Sequence, residues 1–332
     1  MRAITLISGG LDSILAARII KEQGIDVLPL NFKIPFCQRK NSAPGTSDAE
    51  VLTKSSLGQD LKTVDLGIGF LELVLKPKYG FGANMNPCID CRIFMLKRAR
   101  ELLDPLGAQF VVTGEVLGQR PMSQHRQALE IIEKESGLEG LLLRPLCAGL
   151  LGATLPEKQG WVKRQRLFKF SGRERRPQIK LAKEFHIANY PNPAGGCLLT
   201  DPQFSSRLKD LIDSRVLSME NVGLLKIGRH FRLSEQAKLI VGRNQGENQE
   251  LERLAGGGDY LFMPDKDLAG PTCLGRGEFN PELIRLSSAI ACRYCDLDTV
   301  QRARIIYHKK GDSPLTLEVS PLGESALKAL RL

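Results

Sequence analysis

The stretch Ala3-Ile4-Thr5-Leu6-Ile7-Ser8-Gly9-Gly10-Leu11-Asp12-Ser13-Ile14-Leu15 decides the fold. Its first five residues, apolar or β-branched, read as a short buried strand. Ile14, Leu15, Ala16, Ala17, Ile19 and Ile20 continue as a helix that Gly24 ends in left-handed geometry. Between them lies a turn with two glycines. Gly9 and Gly10 let the backbone approach an anion closely, and the N–H groups of the first helical turn, with the helix dipole behind them, point at it. Ser8 and Ser13 add hydroxyl donors. Asp12 is unsuited to touch phosphate directly but suited to holding a magnesium ion that screens phosphate charge. The turn has neither the lysine-serine/threonine ending of a P-loop nor the G-x-G-x-x-G of a dinucleotide site.

Outward from this turn, residues 25–32 read as a second strand, with Pro29 weakening it or marking a bulge. Residues 37–49 read as a polar loop leading into a helix over 47–57. Further strands are expected at 62–66, 110–113 and 141–146, with a long helix over 88–103. Strands alternating with helices predict an α/β fold with a doubly wound parallel sheet, whose ligands sit beyond the carboxyl ends of the strands. That puts Ser8, Thr113-Gly114-Glu115 and Arg144-Pro145 on one rim. A polar helix over 201–216 is expected to close this unit, so the domains read as 1–210 and 217–332. The second starts a different pattern, with strand-like runs at 227–233, 238–242, 303–308 and 315–319 and a helix over 281–295. It reads as a smaller α+β domain.

Composition agrees with this division, since 332 residues suit two domains, and 42% hydrophobic with 25% charged residues describes a globular chain with real cores. No stretch approaches transmembrane length and residues 1–7 read as a strand rather than a signal peptide, so a cytoplasmic protein without a membrane partner is expected. Lys and Arg number 47 against 37 Asp and Glu, a net charge of +10 that favours an acidic partner such as nucleic acid. Eight cysteines in such a chain point to metal binding, sulfur chemistry or core packing rather than a disulfide framework.

Asn86-Pro87-Cys88-Ile89-Asp90-Cys91 opens an amphipathic helix, with Asn86 as the cap, Pro87 in the first position, and Ile89, Ile93, Leu96 and Leu103 as the buried stripe. Both thiols fall in the first turn, where the dipole favours thiolate. Cys197 follows Gly195 and Gly196, which let the backbone carry it into a tight site. Three cysteines without a nearby histidine fit a four-iron cluster with one open iron better than a closed zinc site. The plain alternative is a helix start plus a buried loop cysteine. Cys292 and Cys295 form a second C-x-x-C on an apolar helix and read as core, while Cys37, Cys147 and Cys273 have no evident partners. The four histidines do not cluster. Lys163, Arg164, Arg166, Lys169, Arg173, Arg175, Arg176 and Lys180, among Trp161, Phe168 and Phe170, read either as phosphate contacts with stacking faces or as a solvated charged face.

Residues 8–13 resemble the PP-loop of the ATP-pyrophosphatase superfamily, which implies cleavage of ATP to AMP and pyrophosphate. Together with Asn86-Pro87-x-x-x-Cys91 and Gly196-Cys197 they look like the tRNA 2-thiouridylases. Thr113-Gly114-Glu115-x-Leu117-Gly118-Gln119, Ser123-Gln124, Leu143-Arg144-Pro145-Leu146, Gly172-Arg173 and Gln178 look more like the 4-thiouridine synthases. The resemblance covers about residues 1–210 and implies ATP at Ser8, Gly9, Gly10, Asp12, Ser13, Gly114, Gln119, Ser123 and Gln124, with Mg2+ held in part by Asp12. It further implies adenylation of a tRNA uridine and displacement of AMP by sulfur, with Cys91 as resolving thiol and Cys197 as sulfur carrier. Cys88 departs from the 2-thiouridylase pattern, where an acidic residue is often found. It shifts the expectation to a [4Fe-4S] cluster on Cys88, Cys91 and Cys197, with the sulfur donor either sulfide or a persulfide carrier. Val241-Gly242-Arg243-Asn244, Asn248, Leu251, Asp259, Ala269-Gly270-Pro271 and Tyr294-Cys295 resemble the RNA-binding domain of the NFACT ribosome-associated proteins, without its lysine-proline-lysine stretch. A homodimer stays open. The alternatives are a PP-loop enzyme with a small-molecule acceptor, similar to 7-cyano-7-deazaguanine synthases, and a non-catalytic tRNA- or ribosome-binding factor.

Overall fold

The structure, a computed structural model, describes residues 1–36, 47–191, 197–297 and 302–332. The chain forms two compact units, Met1–Thr200 and Asp201–Leu332. In the first, β1 (Arg2–Leu6), β2 (Asp26–Lys33), β3 (Lys62–Asp65), β4 (Phe110–Val112) and β5 (Leu142–Leu143) form a parallel sheet in the order β3-β2-β1-β4-β5. Alternation along β1 sends Ala3 into one apolar layer with Leu15, Leu52 and Leu181, and Ile4 into the opposite layer with Ile93, Leu96 and Ile132. Helices therefore cover both faces, as the doubly wound reading requires. The strand order reverses between β1 and β4, and the crevice beyond their carboxyl ends is where such a sheet receives a ligand.

Local chemistry explains most boundaries. Helix Leu11–Lys21 ends before Gly24, whose φ is +81°. Helix Asp48–Leu57 starts with a capping box between Ser47 and Glu50 and stops at left-handed Gly58. Pro29 makes no bulge: β1 and β2 stay in register from Arg2↔Asp26 to Leu6↔Leu30. β3 joins β2 only from Leu30 onward, so the missing Pro29 N–H falls outside that ladder. The fifth strand is two residues rather than six, because Arg144 leaves the sheet edge to enter a buried polar network.

That network joins β4, β5 and two helices. Arg144 Nε donates to Glu115 Oε2 at 3.0 Å, Nη1 to Glu133 Oε2 at 2.8 Å and Nη2 to the Leu129 carbonyl at 3.2 Å. Thr113 Oγ1 donates to the same Glu115 oxygen at 3.2 Å, and Arg92 lies 3.6 Å from the other. Both Glu115 and Arg144 are buried.

In the second unit, β6 (Arg229–Arg232), β7 (Ala237–Val241), β8 (Tyr260–Pro264), β9 (Cys273–Gly277), β10 (Ala303–Lys309) and β11 (Leu315–Val319) form an antiparallel sheet, order β11-β10-β8-β9-β7-β6. Helix Pro281–Arg293 packs on it through Ile290, Ala291 and Cys292. β8 and β9 do not announce themselves in the sequence. Gly275 and Gly277 look like strand breakers, yet a Cβ at Gly275 would stand 2.6 Å from the Phe279 ring and one at Gly277 1.8 Å from the Gln236 carbonyl. Cys273, Cys292 and Cys295 lie in this core, with the Cys292 thiol donating to the Val319 carbonyl at 3.6 Å and the Cys295 thiol to Ala291 at 3.4 Å. Helix Pro202–Asp213, expected at the end of the first unit, belongs to the second. Its Asp210 accepts hydrogen bonds from Arg232 at 2.7 Å and from Lys238 at 2.8 Å, and this pairing ties it to β6 and β7. Among the described residues no helix is long and apolar enough to cross a membrane.

Replacing Arg144 with leucine strands Glu115 inside the protein, and breaking such a pair costs about 3–5 kcal/mol. Urea unfolding of Arg144→Leu at neutral pH is expected to show a loss of that order. Burial works to raise the Glu115 carboxyl, but Arg144 and Arg92 override it and hold it below its ordinary value. A depressed carboxyl contributes stability above its unfolded pKa and loses it as pH falls through the folded one. The gap between wild type and Arg144→Leu is therefore expected to narrow on acidification below about pH 4.

Candidate active site

The turn after β1 is held open from beneath. Gly9 adopts φ +79°, and a Cβ there would approach Ala49 Cβ to 3.1 Å. Gly10 occupies the N-cap of helix Leu11–Lys21 and supplies no side-chain cap, so the Leu11 and Asp12 N–H groups have no partner among the described residues and can reach an anion, while the Ser13 N–H goes to the Gly10 carbonyl at 3.2 Å. Ser13 turns inward. Its buried hydroxyl donates to the Gly10 carbonyl at 2.7 Å and accepts from the Ser8 N–H at 3.2 Å. Ser13 shapes the turn from inside, whereas Ser8, 3.3 Å from it between the two hydroxyls, is exposed.

The loop leaving β4 forms the second wall. A Cβ on Gly114 would lie 2.5 Å from the Asp12 carbonyl carbon and oxygen and from the Ser13 nitrogen. Gly114 thus serves close packing of one backbone on another. Gln119 Nε2 donates to Asp12 Oδ2 at 3.0 Å, and Asp12 Oδ1 is buried with no hydrogen-bond partner among the described residues. Gly118, at φ +79°, donates from its N–H to the Gln124 carbonyl at 2.7 Å. Ser123 and Gln124 are buried, and Gln124 Oε1 lacks a hydrogen-bond partner among the described residues. So do both side-chain amide atoms of Gln178, which is 0% exposed. Buried amides and carboxylates without partners are costly, so such groups call for an ordered water or a ligand to complete the bonding.

The thiols stand at the same edge of the sheet. Helix Cys88–Glu101 runs between β3 and β4, and in a parallel crossover the start of such a helix lies at the carboxyl rim. Asn86 does not cap it: Pro87 takes the N-cap position, and Asn86 Oδ1 instead accepts the Cys197 thiol at 3.9 Å. Met85 N–H donates to the Leu199 carbonyl at 3.2 Å, Asn84 Nδ2 to Thr200 at 2.7 Å, and Leu198 N–H to Phe36 at 3.0 Å, just past β2. Three contacts therefore bring the Cys197 segment to the one preceding Cys88, and the fourth ties it to the chain just past β2. Asp90, buried between the two cysteines of the C-x-x-C, accepts the N–H groups of Lys78 at 2.8 Å and Tyr79 at 3.0 Å, which fixes the helix start. Sequence reasoning missed Asn84, Asn86 and Asp90 as organisers; a buried-looking acid inside C-I-D-C was the available signal. Cys88, Cys91 and Cys197 are all partly exposed. Among the described residues no three His, Cys, Asp or Glu side chains are gathered so as to hold a metal ion. Gly195, Gly196 and Cys37 lie outside the described residues.

Residues 1–150 match the family model described as Thiamine biosynthesis protein (ThiI), and residues 228–331 match the NFACT protein RNA binding domain. The two matched regions are the ones whose motifs carry the two resemblances noted in the sequence. The tRNA-specific 2-thiouridylase MnmA of Nitratidesulfovibrio vulgaris is 34% identical over 36% of this chain and 36% of its own length. That of Pseudomonas fluorescens is 24% identical over 98% of this chain and 86% of its own. The Thermococcus kodakarensis protein named "Probable tRNA sulfurtransferase" is 27% identical over 44% and 36%. In the first and last of these the match spans about a third of the relative. A solved 4-thiouridine synthetase–RNA complex with bound ATP aligns at TM-score 0.41 and 20% identity, covering 68% of this chain and 51% of that one.

A methyl group at Gly114 must displace backbone on the facing turn, and overpacking of this kind costs about 1–3 kcal/mol. Gly114→Ala is expected to lower the denaturation midpoint accordingly. Gly152→Ala, at an open position with nothing within 4 Å, is the matched control and is expected to leave the midpoint within experimental error.

Proposed function

We propose that this chain is an ATP-dependent tRNA thiolase of the cytoplasm. It adenylates a uridine carbonyl oxygen, releases pyrophosphate, and then exchanges that oxygen for sulfur. The observation that carries the reading is that the uncapped glycine turn and the C-x-x-C helix start, with Cys197 drawn up to it, share the carboxyl rim of one parallel sheet. The names of the relatives support tRNA as the acceptor and sulfur as the group transferred.

The chemistry needs both halves of the rim. A uridine carbonyl oxygen leaves only after it becomes an AMP ester, and the N–H groups of the turn are aimed where the phosphates of ATP would lie. Asp12 fits a magnesium ion: Gln119 fixes one carboxylate oxygen, and the other is buried without a hydrogen-bond partner among the described residues. When bound, magnesium supplies charge stabilisation for the departing pyrophosphate. In a persulfide route the terminal sulfur on Cys197 attacks the activated carbon and the bond to AMP breaks. The Cys91 thiolate then takes the inner sulfur, which leaves a thiocarbonyl on the base and a Cys91–Cys197 disulfide. Cys88, Cys91 and Cys197 are also soft donors of the kind that hold a [4Fe-4S] cluster. Their side chains are not gathered as ligands among the described residues, so no step is derived through a cluster. The NFACT-type module supports a role in presenting tRNA to this rim.

Anaerobically purified protein, assayed for iron and then incubated with ATP, Mg2+, a sulfide or persulfide donor and unmodified tRNA, is expected to release pyrophosphate and yield thiouridine by nucleoside mass spectrometry. Cys91→Ser and Cys197→Ser are expected to lose thiolation by at least a hundredfold and keep ATP binding. Cys88→Ala separates the sulfur routes: full activity without iron supports the persulfide, and loss of both iron and thiolation supports the cluster. Pyrophosphate released with a small acceptor but never with tRNA would overturn the tRNA reading, and tRNA binding without any pyrophosphate would mark a non-catalytic factor. Asp12→Asn is expected to weaken ATP binding about tenfold with Mg2+ present and to leave it nearly unchanged in its absence.

A further inference from the structure

Between residues 163 and 184 the chain carries nine Lys and Arg against two acids, Glu174 and Glu184. The structure sorts these cations by what holds them. Arg164 is tied into the fold by an ion pair with Glu157 and by hydrogen bonds to the carbonyls of Ala148 at 3.1 Å and Leu151 at 2.8 Å. Arg166 donates to the Glu22 carbonyl at 3.1 Å. The aromatic residues are likewise engaged: Trp161, Phe168 and Phe170 pack against the core, the last two with ring centroids 4.9 Å apart. They are not free stacking faces, which corrects half of the sequence expectation for this segment.

Arg173, Arg176, Lys180 and Lys183 behave differently. All four are exposed, and none has an ion-pair partner among the described residues. On helix Arg176–Glu184 the inward side is Gln178, Leu181 and Ala182, so Arg176, Lys180 and Lys183, spaced i, i+4 and i+7, share the outward one. At 1.5 Å per residue that row is about 10 Å long. Like charges at i, i+4 destabilise a helix, and the helix's one acid, Glu184, stands at its last position, four residues after Lys180, and makes no ion pair with the row among the described residues. A solvated face ordinarily mixes signs. A row of three cations with a single unpaired acid at its end keeps a net positive charge and fits an external polyanion.

Its placement matters as much as its sign. Gly172 N–H donates to the Leu117 carbonyl at 2.8 Å, Ser171 bridges to Leu117, and Gly118 packs against Gly172. The row therefore begins directly beyond the loop whose Gln119 holds Asp12. We infer that Arg173, Arg176, Lys180 and Lys183 form the track that grips the RNA phosphate backbone while its target base enters the rim. This rests on the tRNA-thiolase reading above and adds to it the surface that holds the substrate.

The test compares two charge-matched triple variants of the full chain for binding to an unmodified tRNA transcript across a salt series. Arg176→Glu/Lys180→Glu/Lys183→Glu is expected to lose at least tenfold in affinity and to flatten the log-affinity against log-salt slope by about two, since each lost phosphate contact removes roughly 0.7–0.9. Lys97→Glu/Lys134→Glu/Lys158→Glu, on exposed lysines elsewhere, is expected to lose less than threefold. The glutamine version of the first triple, milder for the helix, is expected to fall between. Equal losses in the two triples, or no loss in the first while wild type binds and thiolates tRNA, would overturn the track and leave the function standing. Wild type that neither binds tRNA nor releases pyrophosphate with it would overturn both.

Discussion

The geometry of the first unit depends on one steric constraint: the loop leaving β4 lies directly on the turn leaving β1, with no room for a side chain between them. At Gly114 a Cβ would stand 2.5 Å from three backbone atoms of Asp12 and Ser13. Because β1 and β4 flank the point where the strand order reverses, this contact sets the width of the ligand crevice itself. It also brings Gln119 within hydrogen-bond reach of Asp12, and so decides which carboxylate oxygen is held and which remains available.

A close approach of two backbones needs rigid support, and the residue next to Gly114 provides it. Glu115 is buried between Arg144, Arg92 and Thr113, and Arg144 extends the link to Glu133. Such ionic networks contribute little net stability compared with apolar packing, but they hold one geometry because breaking any single partner leaves a buried charge. Here the network fixes the exit of β4 relative to β5 and the helices Cys88–Glu101 and Arg126–Glu135. The loop that packs on the glycine turn and the cysteine helix are thereby anchored to one framework.

What the sequence made legible follows from how local each signal is. The glycine turn, its flanking strand and helix, and the C-x-x-C helix start are short-range patterns, and they appear at the expected positions. The roles of single residues were harder to read, because they depend on partners far along the chain. Asn86 looks like a helix cap, yet contacts with Leu199 and Thr200, over a hundred residues away, bring Cys197 to its side chain. Ser13 looks like a phosphate donor, yet the Gly10 carbonyl takes its proton. Gly275 and Gly277 read as breaks because the ring and carbonyl that require them belong to other segments.

The cysteines show how structure divides residues that composition lumps together. A thiol reacts or binds metal as thiolate, so it must be reachable and must not be desolvated. Burial pushes Cys147 up to about 11 and Cys295 up to about 12, and raises Cys273 and Cys292 as well. These four are protonated, core-filling groups, and the second C-x-x-C is a packing feature of its sheet. Cys88, Cys91 and Cys197 are the partly exposed cysteines among the described residues, and all three lie where the parallel sheet presents its carboxyl edge. The accessible thiols and the uncapped glycine turn thus meet on one rim for a reason of topology. Parallel crossovers deliver every strand exit and every following helix start to the same side, so the glycine turn and the three thiols share one rim within the first unit without any further device.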